Sequence, residues 1–157
     1  VFRIIPGLEN AEFVRLGSLH RNTFINSPLH LRPTLQWRQR STLFFAGQMI
    51  GVEGYIESAA TGLLAGINAA RLLDRKDPVF PPPTTALGGV LRYIADPERK
   101  RFQPMNVNFG LIPSLPARLG GKAKKELLAQ RALADLDHWI LDTLGMTKTC
   151  LATRAPA

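Results

Sequence analysis

Cysteine is nearly absent from this chain: Cys150 is the only one in 157 residues. A single thiol excludes a disulfide framework and is compatible with a reducing compartment. Long apolar runs are missing as well. No stretch approaches the roughly eighteen residues of a membrane-spanning helix, so no membrane partner is expected. Acidic residues are scarce beside basic ones, 12 Asp and Glu against 20 Lys and Arg, which leaves a formal net charge of +8. An excess of that size belongs either to a phosphate-rich partner or to a solvated basic face. The three histidines are not spaced with a cysteine or carboxylate as metal ligands would be, so no metal site is expected. Nothing repeats internally. No initiator Met precedes Val1, so a piece of a longer protein is expected, and the lack of a visible signal peptide carries no weight.

What is present is globular in character. Apolar residues at 45% with 20% charged suit a packed core, and the length suits one to one and a half domains. The most informative stretch is LFFAGQMIGVEGYIESAATGLLAGINAAR, residues 43–71. It opens on Leu43 to Ala46, an apolar run without alternation that predicts a strand buried on both faces. Gly47, Gly51 and Gly54 follow and free the backbone to turn its amides towards a ligand. A helix comes next. Ile56, Ala60, Leu63, Ile67 and Ala70 predict its buried stripe, and Ser58, Gly62 and Gly66 predict a second face able to approach a sheet or ligand closely. The helix start carries unpaired amides and a partial positive charge. Glu53 and Glu57 would repel a pyrophosphate there, so the polar edge of a ring that becomes anionic is the better fit. A plain βα unit without a ligand has the same pattern.

Around this platform the chain is divided by proline. KDPVFPPP at 76–83 can form neither helix interior nor central strand and predicts an extended connector. Upstream, Phe13 to Ile25 and Thr34 to Arg38 read as strands, separated by Pro28 and Pro33. Downstream, Thr85 to Ala95 reads as a short helix with Thr84 or Thr85 as its cap. Phe102 to Ile112 reads as loop, and a last helix from near Lys122 should bury Leu128, Ala132, Leu136, Trp139 and Leu144.

The charge is uneven. Between Pro97 and Lys125 stand Arg99, Lys100, Arg101, Arg118, Lys122, Lys124 and Lys125 against Glu98 alone. Lys122, Lys124 and Lys125 oppose the dipole at the start of the last helix, an arrangement that costs helix stability and suits a nucleic-acid backbone. His20, Arg21 and Asn22 place an imidazole, a guanidinium and an amide side by side, as a hydrogen-bonded structural group or as a site. His30 and His138 read as surface residues. Asn106 and Asn108, alternating in PMNVNFG, can read a polar heterocycle or satisfy loop backbone.

Four stretches together resemble a known family: IPGLENAEFVRLGSLHRNTFINSP at 5–28, the platform at 43–71, PPPTTALGGVLRYI at 81–94 and FQPMNVNFGLIP at 102–113. In this order they resemble the C-terminal part of the folate- and FAD-dependent tRNA (uracil-5-)-methyltransferases, the TrmFO family, a branch of the GidA-like flavoproteins. The sister branch that modifies the wobble uridine shares IPGLENAE and a similar glycine helix, but not HRNTFINSP or FQPMNVNFGL. A non-catalytic RNA-binding or docking module is the alternative of another class.

The resemblance implies an α/β fold, the C-terminal portion of a Rossmann-like FAD-binding flavoprotein, incomplete as a stand-alone unit. Residues 1–40 would close an insertion or substrate domain with its return strands, and 41–76 would be the flavin-contacting strand, turn and helix. Residues 77–85 would be the connector, and 86–157 a basic helical segment. It also implies that Gly47, Gln48, Gly51, Val52, Glu53, Gly54 and Tyr55 hold the flavin ring. Gln48 stands where many flavoproteins carry Asp and the GidA-like branches carry Gln. His20 would stack on the folate pterin with Arg21, Asn22, Asn106 and Asn108 nearby. Arg99, Lys100, Arg101, Lys122, Lys124 and Lys125 would meet tRNA. Arg38 and Arg40 are open to tRNA, to a folate glutamate, or to neither. The family's reaction carries the one-carbon unit of methylenetetrahydrofolate, with FAD and NAD(P)H as redox partners, to C5 of the T-loop uridine of a cytoplasmic tRNA. A cysteine attacks C6 to make C5 nucleophilic. Both cysteines of that chemistry would lie upstream with the nucleotide-binding part, so no catalytic residue is expected here, and Cys150 reads as structural.

Overall fold

Proline at a helix start needs no amide, and Pro28 uses that freedom to open the one-turn helix α1 (Ser27–His30). Among the described residues, 2–14, 23–115 and 120–145 of this computed structural model, α1 is where the chain enters the core. The Ser27 hydroxyl donates to the Ile50 carbonyl at 2.8 Å, and Ser27 and Pro28 are both buried. The chain then doubles back as β1 (Gln36–Trp37) and β2 (Arg40–Phe44), an antiparallel two-stranded sheet with an irregular register between Gln36 and Trp37. Leu35, just before β1, sits at φ 69° and is fully buried. A branched side chain in the left-handed region costs about 1 kcal/mol or more, so its neighbours must hold it.

Two expectations change here. Residues 13, 14 and 23–25 carry no strand, and of Thr34 to Arg38 only Gln36 and Trp37 pair. The apolar run of Leu43 to Ala46 does not lie between two layers: β2 runs from Arg40 to Phe44, most of it is exposed, and Leu43 is 38% accessible. β1 is its one strand neighbour among the described residues, and a neighbour in the plane of the sheet covers neither face.

α2 (Tyr55–Leu73) and α3 (Ala86–Ala95) form where the periodicity predicts them, and α4 (Gly121–Leu144) begins at Gly121. The face that α2 buries is a different one. Thr61, Leu64 and Asn68 are buried, whereas Ile56 and Leu63 are 83% and 68% exposed. Gly62 and Gly66 face open space, so the expected close approach of that stripe is not made among the described residues. Polar residues go inward because loop backbone satisfies them. The Asn68 amide donates to the Thr34 carbonyl at 3.0 Å and to the Val79 carbonyl at 2.8 Å, and its oxygen accepts from the Val79 amide at 2.7 Å. One side chain therefore ties the turn before β1 to the proline connector. Ile56 and Ala60 instead line an apolar groove completed by Leu87 and Val90 of α3 and Leu133 and Leu136 of α4.

α3 supplies the centre of the core. Val90, Leu91 and Ile94 are inaccessible and pack with Leu31, Leu35, Ile50, Val52 and Leu64. Its cap is Thr85, whose hydroxyl accepts from the Gly88 amide at 3.0 Å and donates to the Pro82 carbonyl at 2.7 Å. A Cβ at Gly88 would run into that same carbonyl, so the connector and the helix start are fitted to each other. Thr85→Ala should lower stability by about 1–2 kcal/mol in urea denaturation, and Thr85→Ser should recover most of it. An alanine variant as stable as the parent would show that the cap is idle. α4 buries Leu128 fully and rests Trp139 against the core. Ala132, Leu136 and Leu144 are half-buried, so the expected stripe is present, only partly covered. Phe102 to Ile112 is mostly irregular, with an isolated parallel bridge from Val52 to Met105 and a 3-10 turn at Phe109–Leu111. His30 is not a bare surface residue: its ring stacks on Trp37 at 4.6 Å, with 7° between the planes.

Candidate functional site

The glycine turn is built by conformations that side chains resist. Gly47, Gly51 and Gly54 have φ of 67°, 81° and 100°, all in the range that glycine enters without cost. Gly47 opens a 3-10 turn to Ile50, and Gly51 closes it in the left-handed conformation. The turn is pinned to α2 by Thr61, whose hydroxyl accepts the Gly47 amide at 2.9 Å while donating back to its own helix at Ser58. After Gly51 the chain pairs with the loop from 102 to 107. Met105 donates to the Gly51 carbonyl at 3.1 Å, and Glu53 donates to the Met105 carbonyl at 3.1 Å. The two segments are thereby held side by side, and Asn106 is carried to the start of α2.

These constraints enclose a recess of about 380 Å³ lined by Gln48, Val52, Glu53, Gly54, Tyr55, Ser58 and Asn106. Gly54 is the cap residue of α2 and makes no side-chain cap. No side-chain hydrogen bond therefore caps the first amides of the helix, which carry the positive end of the dipole, and the Glu57 carboxylate folds back against Gly54 beside them. The Tyr55 ring is 97% exposed at the mouth. The lining is thus amide-rich, with a carboxamide from each of two segments. It is suited to a planar polar heterocycle and is at the small end for a ligand pocket, about the room of a ring system and not of a dinucleotide.

Five of the seven flavin-ring residues expected from sequence meet in this recess: Gln48, Val52, Glu53, Gly54 and Tyr55. Gly47 and Gly51 shape it from behind, Gly51 against the Phe102 ring. Of the residues expected at folate, Asn106 lines the same recess. Asn108 is spent on local backbone, accepting from the Gly110 amide at 2.9 Å and donating to the Asn106 carbonyl at 3.1 Å. His20, Arg21 and Asn22 lie outside the described residues, as does Cys150. Ser58 belongs to the site and was read from the sequence only as part of a small-residue stripe. Its position one turn into the helix, on the same side as Gly54, was the available signal.

The basic residues expected to meet nucleic acid fall on two elements. Arg99, Lys100 and Arg101 follow α3. Arg99 lies over the Tyr93 ring at 4.1 Å and pairs with Asp96 at 3.5 Å. Lys122 and Lys124 stand in the first turn of α4, which holds no acidic residue, and Lys125 and Glu126 follow.

Residues 1–77 match the family model of glucose inhibited division protein A. Over 89% of its length the chain is 58% identical to a methylenetetrahydrofolate--tRNA-(uracil-5-)-methyltransferase TrmFO of Geobacter sulfurreducens. It is 59% identical over 88% of its length to the protein of the same name from Brevibacillus brevis, and 60% identical over 85% to that from Listeria innocua. It spans about a third of these relatives, 32%, 32% and 31% respectively.

Proposed function

The chain belongs to the TrmFO-type branch of the GidA-like family, and we propose that it serves folate-dependent methylation of a tRNA uridine at C5, its recess at the start of α2 holding a flavin ring. The observation that carries this reading is the recess itself. Gln48, Gly54, Tyr55 and Asn106 are brought from two segments to the unpaired amides of one helix. FAD fits these residues at its ring and not at its phosphates, for which the recess offers little room and a carboxylate, Glu53. The Rossmann-like nucleotide half and the attacking cysteines belong to the remaining two thirds of the length that the relatives have.

Bound flavin supplies the reducing equivalents that turn a one-carbon methylene into a methyl group. The chain's own residues position and polarise. Helix amides at Tyr55 and Ile56 stabilise negative charge at the edge of the ring, where a preorganised dipole needs no reorganisation as charge develops. Gln48 and Asn106 fix its orientation through hydrogen bonds that an amide can both give and accept. Thr61 keeps the Gly47 turn seated on α2 so that these groups stay in place. Folate would lie against the exposed side of the ring, with Asn106 and the segment of His20, Arg21 and Asn22 as its contacts. NAD(P)H would be the source of electrons. Arg99, Lys100, Arg101, Lys122, Lys124 and Lys125 would neutralise tRNA phosphates. Identity to relatives named for uracil-5 methylation extends well past residue 77, where the broader family match ends, and supports this branch over the wobble-modifying one.

The test uses the full-length protein that contains this chain. It should purify yellow and methylate an unmodified tRNA transcript when given methylenetetrahydrofolate and NADH. Absence of methyl transfer with FAD fully bound would sink the reading.

A further inference from the structure

We propose that four arginines gathered around Pro33, at Arg32, Arg38, Arg92 and Arg99, form a second site, one that takes consecutive phosphodiester groups of an RNA backbone. Two recesses meet at Pro33. One, of about 410 Å³, contains Arg32 and Arg38, and the other, of about 440 Å³, contains Arg92 and Arg99. The four residues come from two separate parts of the chain, more than fifty residues apart, so nothing in sequence spacing places the two pairs together. Each recess holds one carboxylate, Asp77 in the first and Asp96 in the second, which leaves two net positive charges across the pair.

Three of the four guanidinium groups are held and only partly used. Arg38 donates one N–H to the Ala95 carbonyl at 3.1 Å, and Arg92 reaches the Leu111 carbonyl at 3.5 Å. Arg99 is fixed by its face on Tyr93 and by Asp96 at 3.5 Å. A guanidinium has five N–H donors, so each keeps several for a ligand, and anchoring reduces the freedom lost when they engage. Forked donors of this kind match the paired oxygens of a phosphate.

Two features favour a backbone over a single small anion. The recesses share Pro33 and so adjoin, as repeating phosphates require, and exposed Lys100 and Arg101 follow Arg99 in the chain with no ion pair among the described residues. Tyr93 is buried and Arg99 lies over one face of its ring, so the ring is not free to stack on a base. Contacts here position RNA without reading its sequence. The inference rests on the tRNA reading above and locates where the nucleic acid is gripped away from the ring recess.

The experiment compares the full-length protein with its Arg32→Gln, Arg92→Gln double variant, both positions being exposed. Dissociation constants for an unmodified tRNA transcript are measured from about 50 to 200 mM KCl, the range over which phosphate contacts change affinity steeply. The variant should bind roughly tenfold or more weakly, and its log–log salt slope should fall by about 2, one for each phosphate contact removed. Arg32→Lys with Arg92→Lys should keep the slope, because the charge is retained. Normal FAD content in both variants controls for folding. An unchanged slope in the glutamine variant overturns the proposal. So does an unchanged slope with a raised KM for polyglutamylated, but not monoglutamyl, methylenetetrahydrofolate, which would make the recess a carboxylate site. A parent that binds tRNA with the full slope and methylates nothing would sink the activity and leave this site standing.

Discussion

Asn68→Asp should destabilise the protein by about 3 kcal/mol or more, although the two side chains have the same shape. Asn68 is fully buried and its amide nitrogen donates to two carbonyls, those of Thr34 and Val79. The substitution puts an acceptor where both partners are acceptors, and the loss of each buried bond with its partner left unpaired costs about 1–3 kcal/mol. An ionised carboxylate at that depth would cost more. The damage also spreads, because the Thr34 carbonyl precedes Leu35, whose left-handed backbone is held in part by that bond. A melting temperature lower by roughly 6–12 °C is expected, on the usual scaling of about 2–4 °C per kcal/mol. Asn68→Ala loses in addition the bond accepted from the Val79 amide, but it sets no acceptor or charge against the two carbonyls and should be the milder change. If the aspartate variant proved as stable as the parent, or more stable than the alanine variant, the clamp between turn and connector would not be what seats α2.

That clamp also marks what sequence could and could not disclose. α3 was legible because its apolar residues recur at helical spacing and a threonine stands before them. The structure selects Thr85 as the cap because the connector brings the Pro82 carbonyl to the same hydroxyl. The loop from 102 to 112 was legible from its prolines. The glycine turn was legible because three glycines in eight residues leave few other conformations. The inward face of α2 was not. Hydropathy assigns Thr61 and Asn68 to solvent, and only the tertiary placement of loop carbonyls makes burial favourable for them. Ile56 and Leu63 show the converse, apolar residues that find no full cover among the described residues. β2 failed for a related reason: an unalternating apolar run reports the need for two covering layers, not their presence in the same stretch of chain. At the site, the residues around Gly54 could be named in advance from the family resemblance, which a contiguous stretch carries whole. The arrival of Asn106 beside them depends on the pairing of Val52 with Met105, and the grouping of four arginines at Pro33 depends on folding alone.

Gly51→Ala should cost the full-length protein most of its flavin while leaving it folded. The left-handed φ of 81° disfavours alanine by about 1 kcal/mol, and the added Cβ would overlap the Phe102 ring. That ring cannot simply turn away. It packs edge-on to Phe24 at 5.9 Å and against Tyr93 at 5.8 Å, so overpacking of about 1–3 kcal/mol is expected. The segment that must yield is the one running on from Phe102 to Met105, whose amide bonds to the Gly51 carbonyl and whose neighbour Asn106 lines the recess. Displacing it opens the recess at the edge where the ring would be gripped. A loss of 2 kcal/mol in ring binding corresponds to more than tenfold in affinity, visible as a lower ratio of flavin to protein absorbance after purification. Phe102→Leu should restore part of the flavin in the Gly51→Ala background by making room for the Cβ, and should weaken binding when introduced alone. Coupling of that sign places the effect in the contact between the two residues. Purely additive losses would assign it to backbone strain at Gly51, and full flavin content in Gly51→Ala would detach the recess from the cofactor altogether.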